Sequence, residues 1–212
     1  MSKSKYVPPH RRMQTNGGGE VSTAQMFVFE NSLGVRDINK KLKDCPTLIE
    51  ILHLIHLYSH QFNAVNCSTS FYAIGNFAMN QNDSFLSFVR NDCRFQLLMK
   101  KFLIKLPCAT TWSIANAMWC LGILKSDNET AIDKILNHTN GRLFKFNSKE
   151  VCQLVRALVK INYDNQQMIS KILLSVMKYF EKFASKFNDL GLFHLSGRLI
   201  QIIPQELTID SN

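Results

Sequence analysis

Along most of this chain apolar residues recur every three to four positions, the period of a helix with one buried side. Residues 1–25 lack it. They are polar and basic, and Pro8–Pro9 and Gly17–Gly18–Gly19 interrupt them, so they read as a disordered tail. Val35, Ile38 and Leu42 then mark a short helix that stops at Asp44–Cys45–Pro46, with proline tolerated in the first turn of the next. Leu48, Ile51, Leu52, Ile55 and Tyr58 describe that next helix. After Phe62–Asn63 a third has Val65, Cys67, Phe71, Ile74 and Phe77 as its apolar positions, and Asn80–Gln81–Asn82–Asp83 closes it. One further helix is expected over about 84–105, ended by Pro107. Another is expected over about 110–124, closed by Lys125–Ser126–Asp127–Asn128. The alternation continues to residue 203, before Pro204. With 5 Pro and 9 Gly in 212 residues, the chain is poorly supplied with the turn residues of a many-stranded sandwich.

Comparing the chain with itself sharpens this picture. The sixteen-residue stretches beginning at Phe62, Ala109, Phe146 and Phe187 superpose without a gap, at intervals of 47, 37 and 41 residues. In this frame Cys67, Ile114, Val151 and Leu192 coincide. So do Phe71, Met118 and Val155, then Ile74, Leu121, Leu158 and Leu199, then Phe77, Leu124, Ile161 and Ile202. Ala73, Cys120 and Ala157 form an aligned small position, as close helix contact requires. The expected fold is all-α: an α-solenoid of four to five degenerate repeats over 26–203, with tails over 1–25 and 204–212. Each helix pair would bury its flanks against its neighbours. A compact helical bundle gives the same periodicity but not the recurring Phe-Asn start.

Charge bears on the partner. The 25 Lys plus Arg exceed the 16 Asp plus Glu by nine. Four of the cations, Lys3, Lys5, Arg11 and Arg12, lie in the tail, and Arg90, Arg94, Lys100, Lys101 and Lys105 surround one acid, Asp92. Such an excess favours a polyanion, because neutralised phosphates release counterions. A basic protein without such a partner fits composition equally. The cysteines, at 45, 67, 93, 108, 120 and 152, form no CxxC pair and read as reduced residues of an intracellular protein. His56 and His60 share a helix side with no acid or cysteine at ligand spacing, so neither a metal nor another cofactor is expected. No run reaches the roughly 18 apolar residues of a membrane span.

Phe62-Asn-Ala-Val-Asn-Cys-Ser-Thr-Ser70, with Arg36-Asp-Ile-Asn-Lys-Lys-Leu-Lys43 and Ala117-Met-Trp-Cys-Leu-Gly122, resembles the octotricopeptide-like repeat proteins and the helical regions of RAP-domain proteins. The likeness covers about 35–203, although the intervals stray from that family's usual ~38 residues. It implies single-stranded RNA binding in RNA processing, stability or translation, on organellar transcripts or ribosomal RNA. It also implies a mitochondrial or plastid location, with the cytoplasm as the alternative. No RAP domain lies within the chain, so no catalytic role is implied. Separately, Tyr6-Val-Pro-Pro-His-Arg-Arg12 resembles the N-terminal segment of some DEAD-box translation helicases, which implies protein contacts through the tail; Arg11 stands where that segment has leucine.

If Cys67, Phe71 and Ile74 face inward, helical geometry turns a polar series outward. Its rungs are Asn66, Ser113 and Glu150; Thr69, Asn116, Gln153 and His194; Tyr72, Trp119 and Arg156; and Asn76, Lys160 and Gln201. Amides, rings and cations suit the edges and faces of unpaired bases, and Arg94, Lys100 and Lys101 suit phosphates. A scaffold for proteins, or a structural subunit of a ribosome-like particle, is the competing reading. An enzyme is not expected. The chain has no G-x-S-x-G, Walker A or H-E-x-x-H segment, and its carboxylates are scattered.

Overall fold

The structure, a computed structural model, describes residues 34–161 and 165–183. The expected N-terminal tail, the frame segment 187–202 with His194 and Gln201, and the C-terminal tail lie outside the described residues. Every regular element among them is helical: α1 (Val35–Asp44), α2 (Leu48–Tyr58), α3 (Ala64–Ala78), α4 (Asp83–Asn91), α5 (Cys93–Lys105), α6 (Thr111–Ile123), α7 (Glu129–Asn140), α8 (Ser148–Lys160) and α9 (Gln166–Phe183). None of these helices is long and apolar enough to cross a membrane.

One expected helix is two. Over 84–105 the chain breaks at Asp92, whose extended backbone ends α4 and whose carboxylate caps α5 by accepting from the Arg94 amide at 2.8 Å. A short acid that can bond the backbone just ahead of it competes with helix continuation. The Arg94 guanidinium then closes on the same carboxylate at 2.6 and 2.9 Å. That interaction holds the Asp92 pKa below its ordinary 3.8.

The helices contact one another in two series. In one, α1 packs on α3, α3 on α6 and α6 on α8; in the other, α2 packs on α5, α5 on α7 and α7 on α9. Contacts of α3 with α2 and α5, and of α6 with α7, join the two. Phe71 of α3 enters between Phe95 and Phe102 of α5, with edge-on rings and centroids 6.1 and 5.3 Å away. Such pairs contribute about 0.5–1.5 kcal/mol each beyond area burial. Helix α1 is amphipathic: Ile38 and Leu42 are buried, while Arg36, Asp37, Lys40, Lys41, Lys43 and Asp44 face solvent.

Helices α3, α6 and α8 share an entry. Each follows a 3₁₀ turn (Ser59–Gln61, Leu106–Cys108, Leu143–Lys145), then a buried Phe62, Ala109 or Phe146, then the capping residue Asn63, Thr110 or Asn147. The recurring Phe-Asn start is thus a buried anchor followed by a helix cap, worth about 1 kcal/mol per cap. The frame's core positions are buried in all three helices, except that Phe77 is half-buried. Val65, expected inside, is 42% exposed.

Candidate nucleic-acid interface

The first rung lies at the caps. Asn66, Ser113 and Glu150 are buried, three residues into their helices. Asn63 Oδ1 accepts from the Asn66 amide at 2.9 Å, and Asn66 Oδ1 accepts in return from the Asn63 amide at 3.2 Å. Asn147 and Glu150 repeat this reciprocal pair at 3.0 and 2.9 Å. In α6 the Ser113 amide donates to Thr110 Oγ1 at 3.2 Å, and the two hydroxyls lie 3.0 Å apart. Asn66 and Glu150 thus complete capping boxes, and Ser113 instead meets the hydroxyl of its capping residue. Asn66 also donates to the Val35 carbonyl of α1 at 3.0 Å. The reading that points them at a partner is corrected: their hydrogen bonds are spent within the fold.

The second rung is corrected at Thr69 and Asn116, which burial and not hydrogen bonding alone removes from the surface. Thr69 and Asn116 are buried, and Asn116 Nδ2 donates to Ser68 Oγ of α3 at 3.1 Å. Gln153 is half-buried. Helix α6 explains the pattern, since α3 flanks it on one side and α8 on the other. From Ser113 to Met118 every residue is buried. A helix covered on several sides has no single outward face.

The third and fourth rungs reach the surface. Tyr72 is 46% exposed, Trp119 is half-buried, and Asn76, Arg156 and Lys160 are exposed. The Tyr72 and Trp119 rings belong to neighbouring helices, with centroids 5.6 Å apart and planes tilted by 32°. A missing side chain makes room for the indole. A Cβ on Gly75 would overlap Trp119 Cζ3 and lie 3.0 Å from Cε3 and Cη2. Gly122 occupies the same frame position in α6, and there a Cβ would stand 2.7 Å from the Ala157 Cα of α8. The sequence frame contains this pair of glycines, 47 residues apart like Phe62 and Ala109, a second small position beside the aligned Ala73, Cys120 and Ala157. Neither Arg156 nor Lys160 meets a carboxylate in an ion pair among the described residues.

The basic stretch does not converge on this strip. Arg90 Nη1 donates to the Leu124 and Lys125 carbonyls at 2.6 and 3.0 Å, closing the C-terminal end of α6, and Arg94 is held by Asp92. Lys100 and Lys101 lie on α5, outside the series α3–α6–α8. Lys101 is half-buried. Burial pushes the Cys67 thiol up to about 12, against the smaller opposing pull of the Lys105 and Lys101 charges, and burial raises Cys120 as well. At neutral pH both are protonated and poor nucleophiles. No group of three His, Cys, Asp or Glu among the described residues could hold a metal ion.

No protein-family model, curated protein or solved structure matches this chain. Its reading rests on its own residues. The strip of Tyr72, Trp119, Asn76, Arg156 and Lys160 offers two adjoining ring faces, one amide and two unpaired cations at matched positions of three neighbouring helices. Chemically it can stack bases, bond their edges and hold phosphates.

Proposed function

We propose that the chain is a non-catalytic helical-repeat protein, a short α-solenoid, that binds single-stranded RNA along the strip Tyr72–Trp119–Arg156–Lys160. The two contact series, with the same capped entry at α3, α6 and α8, support the solenoid reading. The Tyr72–Trp119 ring pair, one ring exposed and the other half-buried, carries the RNA reading together with the unpaired cations beside it. Base stacking on such rings contributes about 1–3 kcal/mol per base, and cations contribute salt-dependent affinity without sequence preference. Amides of the strip, Asn76 with the half-buried Gln153, would add edge contacts. The resemblance to octotricopeptide-like proteins points to a role in RNA processing, stability or translation.

Fluorescence anisotropy with a labelled mixed-sequence RNA dodecamer tests this. Each phosphate contact on a single strand contributes about −0.7 to the slope of log K against log salt. Arg156→Glu with Lys160→Glu is therefore expected to weaken binding and flatten the slope by about 1.4. Wild-type affinity and an unchanged slope in that variant would remove the strip from the interface.

A scaffold for proteins is the second reading. One observation favours it: Lys100 and Lys101 stand apart from the strip, so the cations serve more than one surface.

A further inference from the structure

A groove of about 360 Å³ runs between α5 and α7, away from the strip. Its apolar lining is aliphatic, and the exposed Gln96 of α5 adds an amide beside it. Met99, Leu103 and Ile104 lie on one side of α5, and Ile104 is 61% exposed although it is a large apolar residue on a helix surface. Lys100 of α5 and Lys134 of α7 line the same groove, both exposed, and neither is in an ion pair with a carboxylate among the described residues. Asn128, which caps α7, closes one end; its Oδ1 is committed to the Ala131 amide at 3.1 Å. Asp127 and Glu129 adjoin Asn128 in sequence, but no acid among the described residues lines the groove.

We infer that this groove docks an acidic, amphipathic peptide segment of a protein partner, with an aliphatic or aromatic side chain against Met99, Leu103 and Ile104 and carboxylates on Lys100 and Lys134. Two features select this occupant. The lysines, with no acid between them, complement a negative chain, and electrostatic complementarity of this kind governs partner choice and association rate. Among the described residues no aromatic ring lines the groove, so unpaired bases find no stacking platform on them. An apolar floor with a few placed polar groups suits a side-chain anchor, and the volume lies at the small end of such pockets, about 300–1,000 Å³. An exposed apolar surface rimmed by polar groups is a recurrent mark of protein contact.

The test uses the full chain and a fluorescein-labelled dodecapeptide bearing glutamates around two leucines, with its lysine-for-glutamate counterpart and an RNA dodecamer as comparisons. The acidic peptide is expected to bind, and the basic one not to. Lys100→Glu with Lys134→Glu, and separately Ile104→Asp, should each weaken binding about tenfold. All three positions are exposed, so far-ultraviolet circular dichroism should match wild type. Excess RNA should leave the peptide bound. No binding of the acidic peptide, equal binding of the basic one, or unaltered affinity in both variants overturns the inference. Displacement by RNA, with RNA affinity lost in the double lysine variant, also overturns it and assigns the groove to nucleic acid. Retention of the peptide by Arg156→Glu with Lys160→Glu separates this site from the proposed RNA strip.

Discussion

Replacing Gly122 with alanine measures how closely α6 and α8 approach. The new Cβ would lie 2.7 Å from the Ala157 Cα, 3.1 Å from its Cβ and 3.2 Å from its carbonyl oxygen. Favourable carbon contacts lie at about 3.5–4.0 Å, and the obstacle is mostly backbone, so the helices must part by roughly 1 Å. Overpacking of this kind costs about 1–3 kcal/mol. Gly122 is next to last in α6, so alanine there returns only about half of the roughly 1 kcal/mol of propensity that a helix interior would give. The net expectation is a loss of roughly 0.5–2.5 kcal/mol, seen as a lower urea midpoint at unchanged slope and a Tm lower by roughly 1–10 °C. Gly75→Ala is the informative companion, with a propensity gain of its own but a side-chain obstacle. The Trp119 ring sits at the surface and can turn away, so stability should fall less while the Tyr72–Trp119 pair is disturbed. A Gly122→Ala chain as stable as wild type, or more so, would refute the close α6–α8 contact.

Other substitutions separate structural from recognition roles. Asn116→Ala should cost roughly 1–3 kcal/mol, because it leaves a hole and strips Ser68 of its partner, yet RNA affinity should not change; intact stability with lost affinity would return Asn116 to the reading face. Arg90→Met keeps the aliphatic stem and removes both bonds to the end of α6, at about 1 kcal/mol by urea denaturation; no loss would make that cap incidental. Asp92 titrates below its ordinary 3.8 in the fold because Arg94 bonds its carboxylate. Its contribution is therefore fully present above about pH 4 and lost as pH falls through the lower folded value. Between pH 6 and 3 the wild-type urea midpoint should fall more steeply than that of Asp92→Asn, and parallel slopes would contradict the coupling.

Much of the fold was legible because three of the helices repeat their buried positions. Cys67, Ile114 and Val151, or Ile74, Leu121 and Leu158, align in sequence and are all buried. The site was legible in its outer half only. Opposing a face to the core assumes a helix with one packed side, and α6 has neighbours on both flanks, so Asn116 is interior although it lies opposite Leu121. The first rung carried a signal that could have been read: Asn147 followed three residues later by Glu150 is a capping-box spacing, and polar residues at that place belong to the helix end. The break at Asp92 was harder to see, since the apolar spacing of Val89, Phe95 and Leu98 passes through it without warning.

The RNA strip is tested most directly at Trp119 itself. The chain has 2 tryptophans, so Trp112→Phe leaves Trp119 as the one indole. Titrating that variant with the RNA dodecamer should quench its emission in step with the anisotropy of the labelled RNA, as a base stacks on the ring. Adding Tyr72→Ala should weaken binding about fivefold or more, the loss of one stacked base. RNA that binds while the Trp119 emission stays constant, or that does not bind at all, contradicts the proposed function.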